Sequence, residues 1–319
     1  MTRRILLWIK VAVAIILLGI MLHIVHPEAL WAALRSARYD LVALGVLLMP
    51  LNIWLQEYKW RYLVRLVRPE ADFWETTGSL LGGFAFGIVT PGRLGEYARA
   101  LFIKDTPPLK LVGLTVIDKF YNLGCTAAFG LPALLTLPWA LNLIKNNGNL
   151  LAPLMILLGI GDLVLLYFAL DPRPVRSLIY AAQIMVPKGD RIARLFGGLD
   201  RFGAPQARVT LLLTVAHYLV FLVQFYVLIC GFTRLDPITS SRGAAAILFS
   251  KSALPIAIGD LGLDQMVSVR FFDQFGVPEA AAFNASMLLF AINVLLPALS
   301  GLLFMGRLQF GAHKKRPME

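Results

Sequence analysis

The residues best suited to chemistry lie in one short polar segment, 90–99, of an otherwise apolar chain. Arg93 and Arg99 carry planar guanidinium groups, each able to bind two phosphate oxygens at once. Glu96 lies three residues from each arginine, so on a helix the three side chains share a face. There the carboxylate would orient the arginines, or bind an ammonium headgroup or a proton. The pattern predicts an anion-binding site; the competing interpretation is an interfacial loop whose charges neutralise one another.

Glycine and proline in this segment predict how its backbone takes part. Pro91 and Gly92 are expected to end one helix, and Gly95 lies where a new helix begins near Leu94. Free amides at a helix N-terminus carry partial positive charge, which favours a bound anion. We therefore expect Gly92 and Gly95 to form part of the site.

Other ionisable residues lie at the ends of apolar segments. Asp118 and Lys119 open a predicted span, where interfacial anchoring competes with a binding role. Lys251, Asp260 and Asp264 flank a second glycine- and proline-containing break. For Lys251, a place in a cavity wall and snorkelling to the surface are equally open.

A third group of polar residues lies within apolar runs or at their margins. Asp162 and His217 fall near the middle of predicted spans, where they are candidates for a proton relay or for a hydrogen bond between helices. The segment Tyr58-Lys-Trp-Arg-Tyr62 is typical of an aromatic and basic belt at the membrane interface.

The composition places these residues in a membrane protein. Of 319 residues, 58% are hydrophobic and 15% charged, with a mean hydropathy of +0.71. Soluble domains have about 45–50% hydrophobic and about 25% charged residues. A soluble enzyme, a secreted disulfide scaffold and a disordered chain are thereby excluded. The net charge of +11 favours an anionic membrane surface over nucleic acid, because the positive charge lies between apolar spans. The spacing of cysteine and histidine predicts no metal site, and no cofactor or catalytic residue is predicted.

Apolar runs of about 20 residues predict an all-α polytopic fold that forms one transmembrane domain over 1–319. Six continuous spans are predicted, at about 5–25, 41–58, 120–143, 151–170, 209–231 and 279–305. Two further stretches, 76–103 and 243–275, are apolar but broken by glycine and proline. Because irregular backbone at membrane depth must be buried in protein or face a water-filled cavity, these stretches predict re-entrant hairpins.

The basic residues predict the orientation. Most of the 30 lysines and arginines fall on one side if each hairpin returns to the side it came from, which places both termini in the cytoplasm. The half over about 146–319 then repeats the half over about 1–145 upside down, with opposed hairpins. Gly92-Arg-Leu-Gly95 and Gly259-Asp-Leu-Gly262 occupy the corresponding breaks. Inverted repeats with broken helices are a common plan of secondary transporters.

The segment Thr90-Pro-Gly-Arg-Leu-Gly-Glu-Tyr-Ala-Arg-Ala100 resembles the P-G-x-L-G-E-x-x-R-A signature of one membrane family. That family is the transmembrane flippase domain of lysylphosphatidylglycerol synthase and its stand-alone relatives. The segment 254–262 is similar to the family's second glycine-rich motif, and the resemblance runs over nearly the whole chain. Arg93 and Asp260 stand where the family frequently has glycine, so the headgroup preference is expected to differ. The pair Asp118-Lys119 also departs from the family pattern, which has a Glu-Arg-like pair there.

The resemblance implies movement of a lipid, or of a lipid-linked molecule, between the leaflets of a bacterial-type cytoplasmic membrane. The chain ends 14 residues after Met305, so the synthase domain and its aminoacyl transfer are not expected. The expected partner is an anionic membrane lipid, with a second copy of the chain or a lipid synthase as candidate protein partners, and no nucleic acid.

The leading interpretation is therefore a lipid flippase and not an enzyme. In it, Arg93, Arg99 and backbone amides bind the headgroup phosphate, Glu96 orients the arginines, and the second hairpin forms the opposite gate. Three alternatives stay open. They are a small-solute or ion symporter with Asp162 carrying the proton, a membrane enzyme acting on a lipid headgroup, and a scaffold that recruits a synthase through the loop 171–208.

Overall fold

The computed structural model describes residues 27–146, 150–173, 199–253 and 263–308, together with the isolated positions 12, 16 and 177. Within these ranges the chain is helical and contains no strand, as the apolar runs predict. The α-helices are α1 (Pro27–Ser36), α2 (Tyr39–Val64), α3 (Phe73–Gly87), α4 (Pro108–Leu135), α5 (Pro138–Asn146), α6 (Leu151–Leu170), α7 (Ala204–Cys230), α8 (Pro237–Ala253), α9 (Leu263–Asp273) and α10 (Glu279–Leu302). The described chain also has 3-10 helices at Leu94–Leu101, Leu199–Arg201 and Met305–Arg307, and a π-helical turn, Ala291–Leu295, inside α10.

Four of the described helices, α2, α6, α7 and α10, are long and apolar enough to cross a membrane. They correspond to the predicted spans 41–58, 151–170, 209–231 and 279–305. The bent pair of α4 and α5 makes a fifth span if the two cross together. The predicted span 5–25 lies outside the described residues, so the described chain contains four or five of the six predicted spans.

The prediction of one continuous helix over 120–143 is wrong. α4 already begins at Pro108, so Asp118 and Lys119 lie inside it and not at its start. α4 ends at Leu135, and the chain bends by 67° into α5. Pro138 explains the break, because proline has no N–H to continue the helical ladder and disfavours helical backbone at the residue before it.

The first broken stretch, 76–103, folds back on itself as a hairpin. α3 begins after Asp72, whose carboxylate accepts a hydrogen bond of 2.6 Å from the Glu75 amide. After the break, the 3-10 helix Leu94–Leu101 returns along α3. A side chain at Gly95 would collide with the Phe86 carbonyl, so the two arms approach this closely only because glycine stands there.

The second broken stretch, 243–275, also pairs its two arms, α8 and α9. Lys251 Nζ on α8 lies 3.1 Å from Asp264 Oδ2 on α9. Residues 254–262, which include Asp260 and the second glycine motif, lie outside the described residues. Entry of the two hairpins from opposite sides of a membrane stays a prediction.

Helices from the two halves pack in reciprocal pairs. α2 packs on α7, α3 packs on the end of α10, and α8 packs on α4. The hairpin of each half therefore lies against the last long helix of the other half. The inverted relation between the two halves stays a prediction. α6 lies at the periphery, since none of the residues in its apolar stretch is buried.

Candidate functional site

A cavity of about 190 Å³ lies where the first hairpin meets α2, α4, α7, α8 and α10. Its wall carries six charged side chains, all candidates from the sequence: Arg93, Glu96, Arg99, Asp118, Lys119 and Lys251. The fold thus gathers charges from the first hairpin, from α4 and from α8, which are far apart along the chain. The cavity is the candidate functional site.

Glu96 holds two cations at the cavity wall. The Arg93 Nη2 atom lies 2.5 Å from its Oε1, and the Lys119 ammonium pairs with its Oε2. The 3-10 helix explains the first pair, because three residues per turn place positions i and i+3 one above the other. The Lys119 side chain stays 34% exposed. We call Arg93, Glu96 and Lys119 the outer cluster.

One donor of the Arg93 guanidinium has no partner within the described chain. The Nε atom is buried and makes no hydrogen bond there, whereas the Nη2 atom is held by Glu96. The Phe84 ring, with its centroid 5.1 Å from Arg93 Cζ, supports the other side of the group. A buried donor of this kind normally has a partner, so the unbonded Nε atom indicates a binding role.

The backbone at Arg93 is also unusual. Gly92 and Arg93 both adopt left-handed conformations, with φ of 55° and 56°. For a residue with a side chain this conformation costs about 1–2 kcal/mol, which accounts for the glycine that the resembled family frequently has at the position of Arg93. The strained turn aims the arginine at the cavity.

The backbone amides of this turn are not free. Those of residues 93–95 all donate within the turn, the one from Gly95 to the Thr90 hydroxyl at 2.6 Å. The expectation that these amides bind an anion is therefore wrong, since the turn uses them to close itself. The expected α-helix is also a 3-10 helix, although it begins at Leu94 as predicted.

Arg99 anchors the hairpin. Its Nη2 atom donates to Asp118 Oδ2 at 3.0 Å, its Nε atom donates to Thr115 Oγ1 at 2.9 Å, and its Cζ atom lies 3.7 Å from the Trp60 ring centroid. The residue is only 3% exposed. These contacts fasten the returning arm to α4 and α2, so the expectation that Arg99 binds phosphate is not supported by its surroundings.

Lys59 completes this buried network. Its Nζ atom lies 2.8 Å from Asp118 Oδ1 and 2.7 Å from Asn122 Oδ1, and the residue is 2% exposed. We call Lys59, Arg99 and Asp118 the inner cluster. The interpretation of 58–62 as an interfacial belt is wrong for Lys59 and for Trp60, both of which are buried.

Sequence reasoning missed Lys59, although a signal was present. Asn52, Gln56 and Lys59 follow one another at spacings of four and three residues, so they share one face of α2. A polar stripe of this kind on an apolar helix predicts a side that faces protein or a cavity. The aromatic neighbours of Lys59 hid this pattern by imitating an interfacial belt.

The remaining predicted residues divide between the cavity and other places. His217 on α7 lines the cavity, as does Lys251, which pairs with Asp264. Asp264 lines a smaller neighbouring pocket. Asp162 lies on the peripheral α6, outside the cavity wall, so the structure does not join it with His217 as a relay.

Positive charge exceeds negative charge around the cavity. In the part of the chain that the structure describes, the outer and inner clusters contain four cations and two carboxylates: Lys59, Arg93, Arg99 and Lys119 against Glu96 and Asp118. The pair of Lys251 and Asp264 adds no net charge. Uncompensated positive charge inside a membrane protein is costly, so the excess of two charges suits an anionic ligand.

Comparison with known families identifies the class of protein. Residues 7–301 match the family described as the lysylphosphatidylglycerol synthase TM region. The match covers most of the chain, so the protein belongs to this family, and the resemblance carried by 90–100 is confirmed. No curated protein and no solved structure matches the chain. The family places the chain among lipid-related transmembrane domains.

Proposed function

We propose that the protein is a flippase that moves an anionic lipid, or a lipid-linked anion, between the leaflets of the cytoplasmic membrane. One observation carries the proposal. In a family of lipid-related transmembrane domains, this chain places an incompletely bonded arginine and a partly exposed lysine around one carboxylate, at the wall of a cavity. The headgroup phosphate binds at this outer cluster.

The phosphate takes the place of Glu96. The Nε and Nη2 atoms form the edge of Arg93 that matches two phosphate oxygens: Nε has no hydrogen-bond partner in the described chain, and Nη2 becomes available when the phosphate displaces Glu96. Lys119 supplies a second, more mobile positive charge. When the lipid leaves, Glu96 pairs again with both cations, so the lipid is not bound too tightly to be released. A carrier, like a channel, must bind its substrate strongly enough for entry and weakly enough for release.

The inner cluster keeps the hairpin in place during this exchange. Asp118 contacts Arg99 with one oxygen and Lys59 with the other, so it ties the returning arm to α2 and α4. The outer cluster can then change partners without movement of the backbone that carries it. The proposed cycle includes no covalent step.

The proposed topology gives the two hairpins different roles. With both termini in the cytoplasm, the first hairpin reaches the cavity from the cytoplasmic side, and the second approaches from the other side as the opposite gate. The reciprocal packing of α3 on α10 and of α8 on α4 supports this division. A second copy of the chain and a lipid synthase remain proposed partners.

Leaflet exchange in vesicles tests the proposal. The protein is reconstituted in phosphatidylcholine vesicles with a trace of tail-labelled phosphatidylglycerol, and the labelled lipid reaching the other leaflet is measured with time. We expect Arg93→Ala and Glu96→Ala to abolish exchange. Arg38→Ala is the matched control, because Arg38 forms an exposed ion pair with Asp40 away from the cavity, and it should exchange like the native chain. Unchanged exchange in Arg93→Ala would contradict the site.

A further inference from the structure

The cavity also has an uncharged polar part. Asn52 on α2, Tyr218 on α7 and Asn293 on α10 lie in its wall and are 1%, 4% and 8% exposed. Asn52 Nδ2, the Tyr218 hydroxyl and Asn293 Oδ1 make no hydrogen bond within the described chain. Buried polar groups are normally hydrogen-bonded, so three such atoms around one cavity indicate partners on a ligand.

The orientation of the Asn293 amide follows from its neighbours. Gln224 Nε2 donates to the Gly45 carbonyl oxygen at 2.8 Å, and since a carbonyl can only accept, the nitrogen of Gln224 must face it. Gln224 Oε1 then accepts from Asn293 Nδ2 at 2.7 Å. Asn293 is therefore left with its Oδ1 atom as a hydrogen-bond acceptor at the cavity. It lies in the π-helical turn of α10, a distortion often found at functional sites.

The acceptor on Asn293 requires a donor on the ligand, either a hydroxyl or an ammonium group. The excess of two positive charges around the cavity opposes an ammonium group, because like charges repel strongly where water is scarce. Asn52 also keeps one unbonded amide atom, since its other amide atom pairs with the amide of Gln56 at 2.7 Å. A hydroxyl can bond either kind of amide atom, because it both donates and accepts.

We infer that the headgroup carries hydroxyl groups beside its phosphate, as in a polyol phosphate or sugar phosphate. Asn293 accepts from one of these hydroxyls, and Asn52 and Tyr218 complete their hydrogen bonds. The inference rests on the proposed function and extends it by naming the chemical class of the headgroup. It also disfavours aminoacylated headgroups, which would bring an ammonium group into a cationic cavity.

Three tail-labelled lipids that differ only in the headgroup test this inference. Phosphatidylglycerol and phosphatidylmethanol each carry one negative charge, but only the first has headgroup hydroxyls; phosphatidylethanolamine carries an ammonium group. Each is present in trace amount in phosphatidylcholine vesicles, where the exchange rate reflects binding as well as movement. We expect phosphatidylglycerol to exchange roughly fivefold faster than phosphatidylmethanol, the effect of about one good hydrogen bond, and phosphatidylethanolamine to be slowest.

Variants assign this preference to the polar wall. Asn293→Leu should slow phosphatidylglycerol exchange more than phosphatidylmethanol exchange, so that the advantage of phosphatidylglycerol is lost. If Asn293→Leu does not fold, the double change Asn293→Leu with Gln224→Leu removes the amide pair together, and Asn52→Leu tests the second amide independently. A merely structural role for Asn293 would slow both lipids equally.

The outcomes separate this inference from the function on which it rests. Equal native rates for phosphatidylglycerol and phosphatidylmethanol would overturn the hydroxyl assignment and leave a flippase of anionic lipids. Fastest exchange of phosphatidylethanolamine would also overturn it, in favour of an ammonium ligand. Absence of exchange for all three lipids would overturn the proposed function and the inference together.

Discussion

The outer and inner clusters lie side by side where the first hairpin meets α2 and α4, and they are built from the same kinds of residue. In each cluster one carboxylate contacts two cations. This carboxylate is Glu96 in the outer cluster and Asp118 in the inner cluster. They differ in their surroundings. Both cations of the inner cluster are almost fully buried, and each makes at least one further hydrogen bond, to Thr115 or to Asn122. The outer cluster has a guanidinium Nε atom without a hydrogen-bond partner in the described chain and a partly exposed ammonium group.

Under the proposed function, this difference separates ion pairs that hold the fold from ion pairs that bind a ligand. Removing one partner of a buried ion pair that makes further hydrogen bonds strongly destabilises the protein, because the other charge stays buried without a counterion. A pair at a cavity can exchange its partner for a ligand, so its removal should affect binding more than folding. The following changes test this contrast, from the largest expected effect to the smallest.

Asp118→Ala should have the largest effect on stability. It leaves Lys59 and Arg99 buried without a counterion, and breaking a buried pair in this way typically costs about 3–5 kcal/mol. Thermal unfolding in detergent should show a strongly lowered midpoint, and Glu96→Ala a clearly smaller change. Equal midpoints for the two variants would remove the distinction between the clusters.

Gly95→Ala should separate the two arms of the first hairpin and disturb both clusters. The added methyl group would meet the Phe86 carbonyl, and overpacking of this kind costs about 1–3 kcal/mol. Gly159→Ala on α6 is the matched control, because nothing lies within 4 Å of the added atom there and alanine favours a helix. The comparison uses unfolding midpoints; a tolerated Gly95→Ala would mean that the arms are not in close contact.

Lys59→Met and Lys119→Met remove one lysine from each cluster. Lys59→Met should lower the unfolding midpoint, while Lys119→Met should leave it within about 1 kcal/mol of the native stability, since partly exposed pairs contribute little. Leaflet exchange, corrected for the folded fraction, should fall about tenfold in Lys119→Met, the effect of losing one charged hydrogen bond. The reverse pattern, a stability loss at Lys119 and an exchange loss at Lys59, would exchange the roles of the clusters.

Asp162→Asn should have the smallest effect. Asp162 lies on the peripheral α6 and outside the cavity wall, so exchange should stay within about twofold of the native rate. The measurement is made with and without a proton gradient. A large loss that depends on the gradient would favour the ion-coupled alternative.

Short-range features of the fold and site were predictable from the sequence. Pro91 and Gly92 predicted the break of the first hairpin, and the three-residue spacing around Glu96 predicted a shared face, which the 3-10 helix provides. The family was predictable from 90–100, because that motif is specific. These features depend on residues near one another along the chain, where backbone geometry leaves few choices.

Long-range features were not predictable in the same way. The burial of Lys59 depends on Asn122 and Asp118, more than fifty residues away, and its own neighbours indicated an interface. The structure gives Arg99 an anchoring role instead of the predicted binding role, because Trp60 and Thr115 enclose it. The residues near Arg99 in the sequence do not indicate these contacts. The unpartnered oxygen of Asn293 follows from Gln224 and Gly45, which belong to two other helices.

Native mass spectrometry of lipids retained by the purified protein tests the central claim most directly. The native chain is compared with the double variant Arg93→Ala, Lys119→Ala and with the control Arg38→Ala, all extracted in the same mild detergent. Retention of an anionic lipid by the native chain and the control, with loss in the double variant, is the result predicted by an anion site at the outer cluster. Equal retention by all three proteins would contradict that site.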